Sequence, residues 1–288
     1  MNRRLARSLL ALVILLVTIG ASIYFLSHHP TVGRQLLATP RPVLASLLLL
    51  YLFFMVSLWL VFRASLLICN AALPVSETML VTAYSSIINF FGPLQSGPAF
   101  RALYLKKRHR VNLKQYAVAS VAYYFFYAYF SGLCLVFGLA GWWTIVLGGL
   151  GLGGLFWLWH TPLLNITRFK SLSLRGLIFT AAATLLQVAV FTVIFYIELH
   201  TNNAAITFRQ AIIYTGAANF ALFVSLTPGA IGFRESFVLL AQRLHHIPNT
   251  TIVAASLLDR GVYIAMLLLL GVLIFGTHAR RNLQRLTQ

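Results

Sequence analysis

The stretch Leu226-Thr227-Pro228-Gly229-Ala230-Ile231-Gly232-Phe233-Arg234-Glu235 sets a proline, two glycines and two opposite charges inside a mostly apolar run. It completes a pattern that the chain has already used once. Tyr214, Asn219-Phe220, Pro228, Gly232 and Arg234 follow the order of Tyr84, Asn89-Phe90, Pro93, Gly97 and Arg101, with the same Tyr-x4-Asn-Phe opening and Pro-x3-Gly break. Only the spacing from Asn to Pro is longer in the second copy. Proline and glycine interrupt a helix because one lacks a donor and the other costs backbone entropy. Paired interruptions in corresponding positions of a membrane chain point to its binding site.

That the chain belongs in a membrane follows from composition. Hydrophobic residues make up 60% of its 288 residues and charged ones 9%, with a mean hydropathy of +0.86. A soluble globule of this length cannot bury so much apolar surface. Runs of about 20 apolar residues, the length that crosses a bilayer, read at Leu9–Leu26, Val43–Phe62, Gln115–Leu139, Trp142–Trp159, Gly176–Leu199 and Thr251–Phe275. The fold class expected is therefore all-α: one polytopic integral membrane domain over 1–288. It has about six full spans and two oppositely oriented re-entrant hairpins. Arg3, Arg4 and Arg7 precede the first run without a small-x-small cleavage site, so that run reads as an uncleaved helix. Cys69 and Cys134 read as packing residues.

The formal charge is +18, from 22 Lys and Arg against 4 Asp and Glu. In a soluble protein this would suggest nucleic acid; in a membrane protein it is topology, and no nucleic-acid partner is expected. With a cytoplasmic N-terminus and each motif region a hairpin, the basic residues at 3–7, 63, 101–114, 168–175 and 280–285 share the cytoplasmic face. Arg34, Arg41, Arg209 and Arg243 fall opposite, and Arg234 and Arg260 fall within the membrane. A single crossing at either motif would spoil this sorting. The halves are thus 43–139 with a hairpin at 77–106, and 176–275 with a hairpin at 208–244, entering from opposite faces as an inverted repeat. The location expected is a bacterial inner membrane, both termini cytoplasmic. Broken helices at membrane depth must line protein or water, because lipid cannot satisfy the freed backbone groups.

Each carboxylate can be weighed. Glu77 suits a helix start, and Glu198 lies beside an outer loop, so both read as structural. Glu235 and Asp259 sit about 14 and 15 Å along their helices from the outer face, counting about 1.5 Å per residue, and meet at one depth. Arg234 and Arg260 adjoin them in sequence, but neighbours on a helix point apart, so pairing between helices is expected: Arg234 with Asp259, or Glu235 with Arg260. Such a cluster is either a salt-bridge lock or a site for a charged headgroup or a proton. Gly229 and Gly232 free backbone N–H groups where a helix begins, which suits an anion beside Arg234. Arg101 either joins that site or snorkels to the cytoplasmic surface. Asn89 and Asn219 cap or cross-link the breaks, with substrate contact the alternative. The G-x-G-x-x-G at 149–154 lies in an apolar span and reads as close helix packing. The histidine pairs at 28–29 and 245–246 lack partners at ligand spacing, so no metal is expected. The aromatic run 123–130 reads as packing.

The residues of Leu226–Glu235 resemble the PGGxGxxE signature of the transmembrane, flippase-type region of lysylphosphatidylglycerol synthases and their stand-alone relatives. The segment from Asn89 to Lys107 is similar to that family's N…PxxxGExxR segment. One departure matters: Pro98 stands where the family often has Glu. The aminoacyl-transferase domain of two-domain members does not follow in this sequence. The resemblance implies a membrane transporter-like protein, without cofactor or enzymatic activity, that flips or binds an anionic, aminoacylated or polyprenyl-linked phospholipid. The alternative is a non-transporting accessory subunit, partnered with a lipid- or glycan-modifying enzyme.

Overall fold

The computed structural model describes residues 38–91, 96–160, 173–224 and 233–286, together with 27 and 30. The expected first span at 9–26 lies outside the described residues, as do the bends at Pro93 and at Pro228, Gly229 and Gly232. Among the described residues there is no strand. The helices are α1 (Arg41–Ile68), α2 (Val75–Phe91), α3 (Ser96–His109), α4 (Leu113–Ala140), α5 (Trp143–His160), α6 (Leu174–Asn202), α7 (Phe208–Val224), α8 (Phe233–Leu240), α9 (Gln242–His245) and α10 (Asn249–Leu286). The helices α1, α4, α6 and α10 are long and apolar enough to cross a bilayer. The protein is an all-α integral membrane bundle.

Local chemistry fixes the helix ends. Asn112 accepts the Lys114 N–H at 2.9 Å to start α4, and Ser173 accepts the Gly176 N–H at 3.2 Å to start α6, each satisfying a donor that the first turn leaves orphaned. Pro42 sits in the first turn of α1, where no N–H is required. The α4 helix stops at Gly141, whose φ of 55° an L side chain rarely adopts.

The described helices run twice through one order: a long helix, a short broken pair, a long helix. The first set is α1, α2–α3, α4; the second is α6, α7–α8 with the turn α9, and α10; α5 lies between. Their leading helices pack most heavily against each other. Ile68 meets Gly176, the Phe54 ring packs tilted on Phe191 with centroids 4.2 Å apart, and Tyr51 meets Glu198, so α1 and α6 run antiparallel. A Cβ on Gly176 would stand 2.8 Å from Ile68 Cγ1, so this glycine admits the close approach. Lipid tails are as apolar as leucine, so such contacts and polar cross-links, rather than removal from water, hold the bundle together.

The hairpins join the bundle unequally. Helix α7 lies along α4, and a Cβ on Gly216 would come within 2.8 Å of backbone atoms of Ser131 and Leu135. The corresponding pair, α2 and α10, meets at few positions. The repeated tyrosine registers the difference: Tyr214 is 1% exposed and Tyr84 37%.

Candidate functional site

The first hairpin closes through nested links. At its base Glu77 Oε1 accepts the Tyr104 hydroxyl at 2.5 Å and lies 2.6 Å from His109 Nε2. Farther in, Arg101 Nε donates to Ser85 Oγ at 2.8 Å, and Asn89 Oδ1 accepts the Gly97 N–H at 3.2 Å. A Cβ on Gly97 would meet Ser85 O at 2.7 Å, which is why that position cannot carry a side chain. Asn89 therefore caps its own hairpin, the role its sequence position suggested. The Tyr104 hydroxyl bond, helped by His109, holds the Glu77 carboxyl below its usual range, while burial and Glu77 push the Tyr104 hydroxyl up to about 12.

The second hairpin is tied outward. Asn219 Oδ1 accepts the Tyr127 hydroxyl from α4 at 2.8 Å, and Asn219 is 1% exposed. Its Nδ2 has no partner among the described residues. Below it His245, also buried, uses Nδ1 to accept the Ile247 N–H at 3.1 Å, so Nε2 carries the proton and donates to Val238 O at 3.0 Å. This histidine plugs the turn at α9.

Between the hairpins lies a cavity of about 230 Å³. Helices α1, α2, α3, α4, α6, α7, α8 and α10 all contribute to its wall. The structure brings Arg101, Asn89, Asn219, Arg234, Asp259 and Arg260 together there. Gly229 and Gly232 lie outside the described residues, as does the side chain of Glu235.

Of the two pairings foreseen across helices, Arg234 with Asp259 is present: Arg234 Nη2 is 2.7 Å from Asp259 Oδ2. The guanidinium also sits 5.2 Å over the Phe195 ring and 3.4 Å from Ser256 Oγ. The Tyr51 hydroxyl reaches Asp259 Oδ1 and, at 3.3 Å, Glu198 Oε1. Glu198, read from sequence as a structural residue beside an outer loop, is 1% exposed and belongs to this cluster. Local sequence concealed this, because Tyr51 brings it to Asp259 from a third helix. Arg101 differs from Arg234. It forms no ion pair among the described residues, lines the cavity and lies 5.3 Å over the Phe62 ring.

The aromatic run also does more than pack. Tyr123, Tyr124 and Tyr127 line the cavity, and Tyr123 exchanges hydrogen bonds with Gln187 at 3.2 Å. A usable signal was present: Ala119-Ser120-x6-Tyr127 and Ala255-Ser256-x6-Tyr263 fall at one register, counted from Leu113 and Asn249. Tyr263 faces the same cavity, with its ring 5.4 Å from both Tyr51 and Phe90. The glycines of 149–154 lie on α5, and close packing accounts for one of them: a Cβ on Gly151 would run into the Tyr129 ring, whereas Gly149, Gly153 and Gly154 have nothing within 4 Å of an added carbon. Cys69 and Cys134 are free thiols.

A family model described as the lysylphosphatidylglycerol synthase TM region matches residues 5–271. No curated protein matches the chain.

Proposed function

The chain belongs to the lysylphosphatidylglycerol synthase transmembrane family, a membrane family associated with lipid handling, and on that premise we propose that it moves a phosphate-bearing lipid headgroup between leaflets. The route is the cavity framed by the two hairpins. The observation that carries this reading is Arg101: a guanidinium within the bundle, without a carboxylate partner among the described residues, in a cavity large enough for a polar group. Charges inside a membrane are costly and mark substrate pathways. Arg234, bound to Asp259, takes the positioning part, and Arg101 takes the phosphate.

The two helix sets are read as an inverted repeat, in keeping with the antiparallel α1 and α6. Movement then exchanges the two seams. The α4–α7 seam opens as α2 closes on α10, with Tyr263 and Asn89 taking the places that Tyr127 and Asn219 hold now. The reading puts the protein in a bacterial plasma membrane with both termini cytoplasmic, and needs no cofactor or catalytic step.

The test is headgroup translocation in vesicles, read as the fraction of labelled phosphatidylglycerol that a membrane-impermeant quencher reaches. Wild type should expose both leaflets' label, and Arg101→Gln should expose only the outer leaflet's. Lipid retained but not moved by wild type would refute transport and favour the accessory-subunit reading.

A further inference from the structure

We infer that Glu198, Tyr51 and Asp259 form a proton-binding relay, in which Glu198 holds one proton as the neutral acid, Asp259 is the ionised end at the cavity wall, and the proton travels with the headgroup. The coupling rests on the translocation reading above. The proton site stands apart from that reading and has its own readout.

A phenol has one hydrogen to donate and lone pairs with which to accept. The Tyr51 hydroxyl lies against a carboxyl oxygen on each side, Asp259 Oδ1 and, at 3.3 Å, Glu198 Oε1. All three residues are buried. If both acids were ionised, two negative oxygens would meet around one hydrogen, out of reach of the solvent that would screen them. A second proton removes the conflict: one acid donates to the phenol oxygen, and the phenol donates to the other acid. Arg234 decides which is which. Its Nη2 is 2.7 Å from Asp259 Oδ2, an ion pair that keeps Asp259 the acceptor, so Glu198 is the donor.

The arrangement also has a direction. Tyr51 and Asp259 line the cavity. Glu198 adjoins them through the Tyr51 hydroxyl and stands four residues from the end of α6, where Asn202 Nδ2 donates to its backbone oxygen at 2.8 Å. Among the described residues, the titratable and charged groups that face the pair are Tyr51 on α1, Arg234 on α8, and Tyr263 with Arg260 on α10; α7 turns Tyr214 toward Phe195, about one turn from Glu198.

As Tyr51 passes its hydrogen to Asp259 it takes the one on Glu198, which leaves Glu198 ionised, Tyr51 a phenol as before and Asp259 neutral. Glu198 then takes its next proton from water at the α6 end. With both acids neutral, the Arg234 charge is left unbalanced at the cavity wall, the state suited to an arriving phosphate. One proton cancels the single negative charge of a phosphodiester in transit, and carboxylate chains inside membranes serve as such relays.

Two measurements test this. Infrared absorption of the full-length protein at neutral pH, in a detergent without ester groups, should show the C=O stretch of a protonated carboxyl. The band should vanish in Glu198→Gln, whose amide can still donate to Tyr51, and persist in Glu235→Gln. No such band in wild type, a band that survives Glu198→Gln, or one that disappears with Glu235→Gln overturns the proton site. In vesicles, wild type should translocate labelled phosphatidylglycerol faster when protons are more concentrated on the side the lipid leaves, and a trapped pH dye should report protons crossing with it. Glu198→Gln and Tyr51→Phe should each lose both responses. Wild-type translocation that ignores the gradient and carries no protons overturns the coupling and leaves the translocation reading standing. Wild type that moves no lipid refutes that reading and the coupling with it, while the infrared band still decides the proton site.

Discussion

Glu198 and Asp259 share one phenol, Tyr51, and one guanidinium, Arg234, so the two partners of the Arg234–Asp259 bond are not equivalent. Removing the cation leaves two buried carboxylates facing each other, whereas removing the Asp259 charge leaves Glu198 near Arg234. Breaking a buried pair costs about 3–5 kcal/mol. Arg234→Met should therefore lower the unfolding temperature in detergent markedly, and Asp259→Asn should lower it less; equal losses would show that Glu198 does not share the charge. At the membrane edge, Glu77 has its folded pKa depressed by Tyr104 and His109. Its stabilisation is present above the unfolded value and is lost as pH falls through the folded one. Acidification below the ordinary glutamate range should speed hydrogen exchange at the end of α3 in wild type but not in Glu77→Gln. The Arg234–Asp259 pair was legible because depth along two helices can be counted from sequence. Tyr51 was not, since a tyrosine in an apolar run looks the same whether it packs or bridges.

The seam between α4 and α7 is made at backbone distance, and its glycine sets that distance. Gly216→Ala would push a methyl against Ser131 and Leu135 backbone, where nothing flexible can yield. The overpacking should cost about 1–3 kcal/mol. Gly153→Ala on α5, with nothing within 4 Å of the added carbon, should be neutral or slightly stabilising through helix propensity. Thermal unfolding of the two variants side by side separates close packing from a general intolerance of bulk. The sequence reading sets re-entrant hairpins over the two broken helix pairs. Expected at 77–106 and 208–244, they are built from Val75–Phe91 with Ser96–His109 and from Phe208–Val224 with Phe233–Leu240 and Gln242–His245. The break at Ala241 escaped notice because it depends on His245 turning back to Val238 O and Ile247 N, a tertiary choice with no proline or glycine to announce it.

For the whole molecule, the order of long and broken helices was readable from hydropathy and charge, but the inequality of the two seams was not. Nothing in two near-identical motifs says which will be buried. If the seams exchange during transport, fixing one should arrest movement without emptying the cavity. A Gly138→Cys, Ile213→Cys pair, placed in a chain lacking Cys69 and Cys134, would bridge α4 and α7 where these residues touch. When oxidised it should still retain lipid yet translocate none, and reduction should restore movement; transport by the oxidised protein would mean that the seam need not open. The same inequality bears on synthesis. Among the described residues, the links that close the first hairpin, from Glu77 to His109, lie within the hairpin itself, so it has what it needs early in translation. The second hairpin hangs from Tyr127, 92 residues upstream of Asn219. A nascent chain emerging N-terminus first delivers its anchor before its load, and the later half is assembled against a docking edge that the earlier half has already set in the membrane.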